Sequence, residues 1–191
     1  RNAARALGQR SDGAAVAALA SGLSDSDSAV RNESLLSVVK LTSRLGEKAL
    51  AMASELRPAL TKLSESGLST ESVLATAALS RGGDKAQEER LNGLATTAAP
   101  ALRKLAVENG GLDSATVVKA LSDEDASVRM AAAKVLAARG DARAAPILRT
   151  LAASGGALAT EAYRALRALG ESVTPPSDLR AQLEAGEEAA A

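Results

Sequence analysis

Two octamers, 98 residues apart, constrain this chain more than anything else in it. Residues 24–31 read SDSDSAVR and residues 122–129 read SDEDASVR. Both hold Ser, Asp, Asp, Val and Arg at the same places, and both run into an apolar segment of helical period. A second fragment occurs three times, as PALTKL at 58–63, PALRKL at 100–105 and PILRTL at 146–151. The copies begin 42 and 46 residues apart, the period of an array of helix pairs, about 40–47 residues. In such an array each unit buries its apolar stripe against its neighbours rather than in one central core.

The best-formed copy covers residues 122–151. Asp125 is placed to cap a helix, since a carboxylate accepts the unpaired N–H groups of the first turn. Val128, Ala131, Ala132, Val135 and Leu136 then fall on one helical face. Gly140 suits a left-handed helix end and Asp141 the next N-cap. Ala144, Ile147, Leu148 and Leu151 share a face of the following helix, in whose second turn Pro146 is expected to cause a bend.

Elsewhere the pattern is looser. Residues 1–8 resemble the end of a repeat helix, and Asp12 is placed to cap a short helix as far as Gly22. Helices are expected over residues 30–45, over 47–64 with a bend near Pro58, over 71–81, over 84–98 and over 114–121. The segment 71–81 has Leu74 where Arg31 and Arg129 stand in the octamers, and Gly82-Gly83-Asp84 parallels Gly140-Asp141. Gly155-Gly156 precedes a last repeat helix ending at Gly170. Residues 1–170 therefore read as one helical repeat domain, and residues 171–191 as a linker, a short capping helix with Leu179 and Leu183, and a frayed tail.

Composition excludes much chemistry. Lys+Arg and Asp+Glu are 23 each, so the net charge is zero; a dedicated nucleic-acid binder carries a basic excess. One Tyr and no Phe or Trp leaves no set of stacking platforms for bases, and Tyr163 reads as a packing residue. Without Cys or His there is no thiol nucleophile, no thiolate site and no imidazole base or ligand. Asp25, Asp27, Asp123 and Asp125 are spaced like acid/base or calcium-binding carboxylates, but the calcium-loop Gly and distal Glu are missing, so they read as caps. The Gly pairs at 82–83, 110–111 and 155–156 lack a phosphate-loop signature and read as corners. No apolar run of 18 residues is present to span a membrane. The first residue is Arg rather than Met, so a segment upstream is expected, and a cytoplasmic location fits the composition.

Asp123, Asp125, Val128, Arg129, Gly140, Asp141 and Pro146 together resemble a HEAT repeat, in the short bacterial form similar to the repeats of phycobilisome lyases. The resemblance implies an all-α, right-handed superhelix of the HEAT/armadillo solenoid type, with about four helix pairs. Among HEAT-repeat enzymes, deoxyhypusine hydroxylase holds its irons with His, and the HEAT-like DNA glycosylases surround a base with aromatic residues; neither set exists here. The resemblance thus implies a non-catalytic scaffold binding a protein partner, without a cofactor. Its alternative is a lyase-like chaperone or assembly factor for a cofactor-bearing protein.

In such arrays the second helix of each pair lines the binding face, which here implies residues 28–45, 71–81, 126–139 and 157–169. These hold Arg31, Lys40, Arg44, Arg81, Arg129, Lys134, Arg139, Arg164 and Arg167 against Glu33, Glu71 and Glu161. A mildly basic groove for an acidic protein segment is the expectation, with Arg129, Lys134, Arg139, Arg164 and Arg167 as the binding residues. The competing reading makes these solvated residues, with Arg31 and Arg129 paired to Asp27 and Asp125.

Overall fold

The computed structural model describes residues 2–10 and 12–174. Among them every regular element is a helix and there is no strand, an all-α architecture of the α-solenoid class. They divide into two compact units, the first ending at Leu112 and the second beginning at Asp113. The expected short helix at 177–185 lies outside the described residues.

The first unit holds α1 (Asn2–Leu7), α2 (Gly13–Gly22), α3 (Ser28–Leu45), α4 (Glu47–Ala51), α5 (Leu56–Ser64), α6 (Thr70–Arg81), α7 (Lys85–Thr97) and α8 (Pro100–Asn109). Its centre is α6, packed against α3, α5, α7 and α8. Every residue from Ser72 to Leu79 is buried. A helix that is apolar nearly all round can stay folded only when neighbours cover every face. The two hydroxyls in that run hydrogen-bond locally: Ser72 Oγ to the Ser69 carbonyl at 3.0 Å and Thr76 Oγ1 to the Ser72 carbonyl at 2.8 Å. Ser69 and Ser72 also cap one another reciprocally at the start of α6, which satisfies two of the orphan donors of the first turn.

The second unit holds α9 (Ser114–Ala120), α10 (Ala126–Ala138), a 3₁₀ turn (Ala142–Ala144), α11 (Ala145–Ala153) and α12 (Gly156–Ala168). α10 packs against α9, α11 and α12, and α11 against α12. Its core is Val117, Val128, Ala131, Ala132, Leu136, Leu148, Ala162 and Leu166. The predominance of alanine lets these helices approach closely.

One corner is used three times. At the end of α10 the Gly140 N–H bonds to the Ala137 carbonyl at 2.9 Å and the Asp141 N–H to the Leu136 carbonyl at 2.9 Å, the paired bonds of a Schellman ending. The same pair closes α6 through Gly83 and Asp84, and α12 through Gly170 and Glu171. Gly140 has φ of +71° and Gly83 of +89°, a backbone region that costs a side-chain-bearing residue roughly 1–2 kcal/mol. The expected parallel between the Gly-Gly-Asp and Gly-Asp corners therefore holds, with Gly83 as the counterpart of Gly140.

Two expectations about proline do not hold. Residues 47–64 form not one helix bent at Pro58 but two, α4 and α5, separated at residues 52–55. Pro58 sits in the first turn of α5, where its missing N–H has no partner to lose. Pro146 likewise falls in the first turn of α11, because a 3₁₀ turn precedes that helix. Both prolines start helices rather than bend them.

Candidate functional site

The octamer acquires a physical meaning in the folded chain. In its second copy Asp123 Oδ1 accepts the Asp125 N–H at 2.8 Å, which folds the turn. Asp125 Oδ1 accepts the N–H groups of Ser127 at 2.8 Å and Val128 at 3.3 Å, which caps α10. Arg129 then reaches back, and Nη1 donates to the carbonyls of Asp123 at 2.7 Å and Glu124 at 2.9 Å. The first copy repeats each step. Asp25 accepts the Asp27 N–H at 2.8 Å, Asp27 accepts that of Ala29 at 2.8 Å, and Arg31 Nη1 clamps the carbonyls of Asp25 and Ser26 at 2.8 and 3.0 Å. The four carboxylates accept backbone N–H groups, and the two arginines hold the entry loop. Among the described residues no cluster of three or more carboxylates is arranged to hold a metal ion.

A second regularity involves Glu33, Glu71 and Glu161. Each meets a base from an earlier helix: Arg5 Nε to Glu33 at 3.0 Å, Arg31 Nη2 to Glu71 at 2.9 Å, and Lys134 Nζ to Glu161 at 2.8 Å. These pairs link α1 to α3, α3 to α6 and α10 to α12. The Arg5 guanidinium holds the Glu33 carboxyl below its ordinary range, and Glu71 raises the pKa of Arg31. The Glu33 and Glu71 side chains retain 14% and 20% of their exposure, whereas Lys134 and Glu161 each keep 45%. The third pair is therefore the one open to exchange with solvent and solutes.

It stands at a groove. Between α10 and α12 lies a cavity of about 390 Å³ lined by Lys134, Ala137, Ala138, Glu161, Arg164, Ala165 and Ala168. The floor is alanine methyl and backbone. The rim carries Lys134 and Glu161, with Arg164 one turn along α12 from Glu161. Arg164 is exposed and forms no hydrogen bond or ion pair among the described residues. Such a surface offers apolar contact beside a cation exposed to water.

Of the five binding residues expected from sequence, Lys134 and Arg164 come together in this groove. Arg167 is exposed on α12, one turn beyond Arg164, and Arg139 is exposed at the end of α10. Arg129 is occupied at the entry of α10. In the first unit Arg44 donates to the Gly8 carbonyl at 3.1 Å and Arg81 to the Asn109 carbonyl at 2.6 Å. Those two, with Arg31, are structural clamps. Arg103, buried to 7% exposure, does the same for the α7–α8 corner through the Ala98 carbonyl at 2.9 Å. Tyr163 is half-buried on α12. The Lys134–Glu161 pairing was missed from sequence, because partners 27 residues apart meet only once α10 and α12 are packed.

No helix among the described residues is long and apolar enough to cross a membrane. A search of curated proteins found no match. Among solved structures the chain is similar to an engineered protein of known crystal structure, at 23% identity over 87% of this chain and 88% of that one, with a TM-score of 0.43. It is also similar to a designed armadillo repeat protein in complex with the peptide (KR)4, at 19% identity over 87% of this chain and 91% of that one, with a TM-score of 0.45. The HEAT repeat model matches residues 115–138, and the PBS lyase HEAT-like repeat model matches residues 1–25 and 128–154. The longer of the lyase-like matches runs through α10, the Gly140 corner and α11, and so includes one wall of the groove. The chain carries HEAT-type repeats, recognised over residues 1–25 and 115–154.

Proposed function

We propose that the chain is a non-catalytic protein-interaction module, and that the α10–α12 groove takes an acidic segment of a protein partner. The observation that carries this reading is the groove itself: an alanine floor beside an exposed Arg164 that has no ion pair among the described residues. Lys134 stands at the same rim, paired with Glu161, and Arg139 and Arg167 are exposed elsewhere, at the end of α10 and on α12. Complementary charge at a rim speeds encounter more than it deepens affinity, and salt screens it. The test is affinity capture with mass spectrometry, run in parallel with the wild-type chain and the Arg164→Glu/Arg167→Glu variant as bait. A protein retained by the first and lost by the second supports the reading. Equal retention by both counts against it.

A second reading has its own support in the lyase-like repeat matches: an assembly factor acting on a cofactor-bearing protein. Its signature would be a captured partner carrying a coloured tetrapyrrole adduct whose formation depends on this chain. Stable binding of an unmodified protein favours the first reading.

A further inference from the structure

The groove between α10 and α12 has a charge count that narrows what it can hold. Its lining carries two cations, Lys134 and Arg164, and one carboxylate, Glu161. Glu161 already holds Lys134 at 2.8 Å. Arg164 forms no hydrogen bond or ion pair among the described residues. The excess at the rim is therefore one positive charge, placed on Arg164. Beside it the floor is apolar: Ala137 and Ala165 are buried, flanked by the exposed Ala138 and Ala168. We infer that the groove selects a protein segment offering a single carboxylate next to an apolar side chain, and that Glu161 disfavours polyacidic segments by keeping Lys134 occupied. The inference rests on the reading of the groove as a site for an acidic segment, and supplies its selectivity.

The physical chemistry of the lining gives the reason. A carboxylate brought onto alanine methyls loses water, so each one that enters needs a cation in return. Arg164 answers one. A second would reach Lys134 only by competing with Glu161, which belongs to the same chain and so acts at a high effective concentration. The apolar neighbour of the first carboxylate gains from the alanine floor. At about 390 Å³ the cavity falls in the size range of small-ligand sites, about 300–1,000 Å³. It has room for side chains rather than for a whole packed element. Specificity is a difference between affinities, and a group that disfavours the wrong ligand contributes as much to it as one that attracts the right one. Arg164 supplies the attraction here and Glu161 the discrimination.

The test uses the full-length chain, labelled at its alanine methyls, and a series of probes of equal carbon count: 1-hexanol, hexanoate and adipate, with no, one and two carboxylates. Methyl NMR titration reads Ala137, Ala138, Ala165 and Ala168 directly. Hexanoate should shift these methyls with a millimolar dissociation constant, about two- to fivefold tighter than hexanol, the size of an exposed charge pair. Adipate should bind no tighter than hexanoate. In Glu161→Gln, which releases Lys134, the ratio of adipate to hexanoate affinity should rise by about two- to fivefold. In Arg164→Gln, hexanoate should fall to the level of hexanol. Equal binding of hexanoate and hexanol by the wild-type chain would overturn the inference, and this comparison needs no variant. An unchanged ratio in Glu161→Gln would overturn it too. So would a micromolar constant for hexanoate, which would assign the groove to a free carboxylic acid. No partner protein is present in this titration. A capture that retains no protein, beside hexanoate binding as expected, would therefore count against the interaction module and leave the selectivity of the groove standing.

Discussion

Arg31 donates from Nε to Glu71 Oε1 at 3.0 Å while its Nη1 holds the Asp25 and Ser26 carbonyls. One guanidinium therefore fixes the entry of its own helix and ties α3 to α6. Arg129 performs the first task for α10, and Lys134, further along the same helix, performs the second. The repeat is held by a division of labour among cations that net charge alone does not reveal.

From this follows an order of mutational effects. Arg31→Ala should lower the melting temperature more than Glu71→Gln, because it leaves two loop carbonyls and a carboxylate without their donor. Arg31→Lys should rescue the ion pair but not the clamp, since an ammonium lacks the planar fork. Thermal denaturation of the three variants checks the order. Equal losses for Arg31→Ala and Glu71→Gln would show that the carbonyl clamp contributes nothing.

The corners and the helix middles should respond oppositely to alanine. Gly140 has φ of +71° with nothing near a built Cβ, so Gly140→Ala carries only backbone strain, about 1–2 kcal/mol destabilising. Gly93 lies mid-helix in α7, exposed, also with nothing near its Cβ and with no positive φ. Gly93→Ala should stabilise by about 0.5–1 kcal/mol. Urea denaturation measures both.

Leu148 is fully buried between helices of the second unit. Leu148→Ala should cost about 2–5 kcal/mol. Because the second unit has its own core, the loss should appear first in that unit, as faster amide hydrogen exchange along α10–α12 than along α6.

Acid should weaken the corner at Asp141. The Arg143 guanidinium, and then the Arg143 N–H, lower this carboxyl from its ordinary 3.8 to about 2. A depressed carboxyl contributes stability that is fully present above its unfolded pKa and is lost as pH falls from about 4 through about 2. Asp141→Asn should flatten the acid limb of stability in that window and leave neutral stability slightly lower. The side chain pairs at the surface, so added salt should shrink the difference.

Much of this fold was legible in the sequence. The spans expected for α3, α10 and α12 fall within about two residues of those found, because Asp27, Asp125 and the Gly140 and Gly170 corners are local signals. The full burial of α6 was not legible, since residues 71–81 carry the helical pattern expected of a helix with one open face, whereas Ser72–Leu79 is covered throughout. The break between α4 and α5 was not legible, since residues 52–55 hold neither Gly nor Pro. Pro58 and Pro146 were read as bends because their helix starts could not be placed within a turn. At the site, the presence of Lys134 and Arg164 was legible. The diversion of Arg31, Arg44, Arg81 and Arg129 to backbone carbonyls was not, because carbonyls carry no sequence signal.

The most direct test of the account separates cations that build the repeat from those that face a partner. With a captured partner in hand, its association rate with the wild-type chain and with Arg164→Glu/Arg167→Glu is measured at low and at high salt, after circular dichroism has shown the variant to be folded. The account predicts a rate at low salt that drops markedly in the variant and a wild-type rate that falls toward it as salt rises. An unchanged association rate in a folded variant would contradict it.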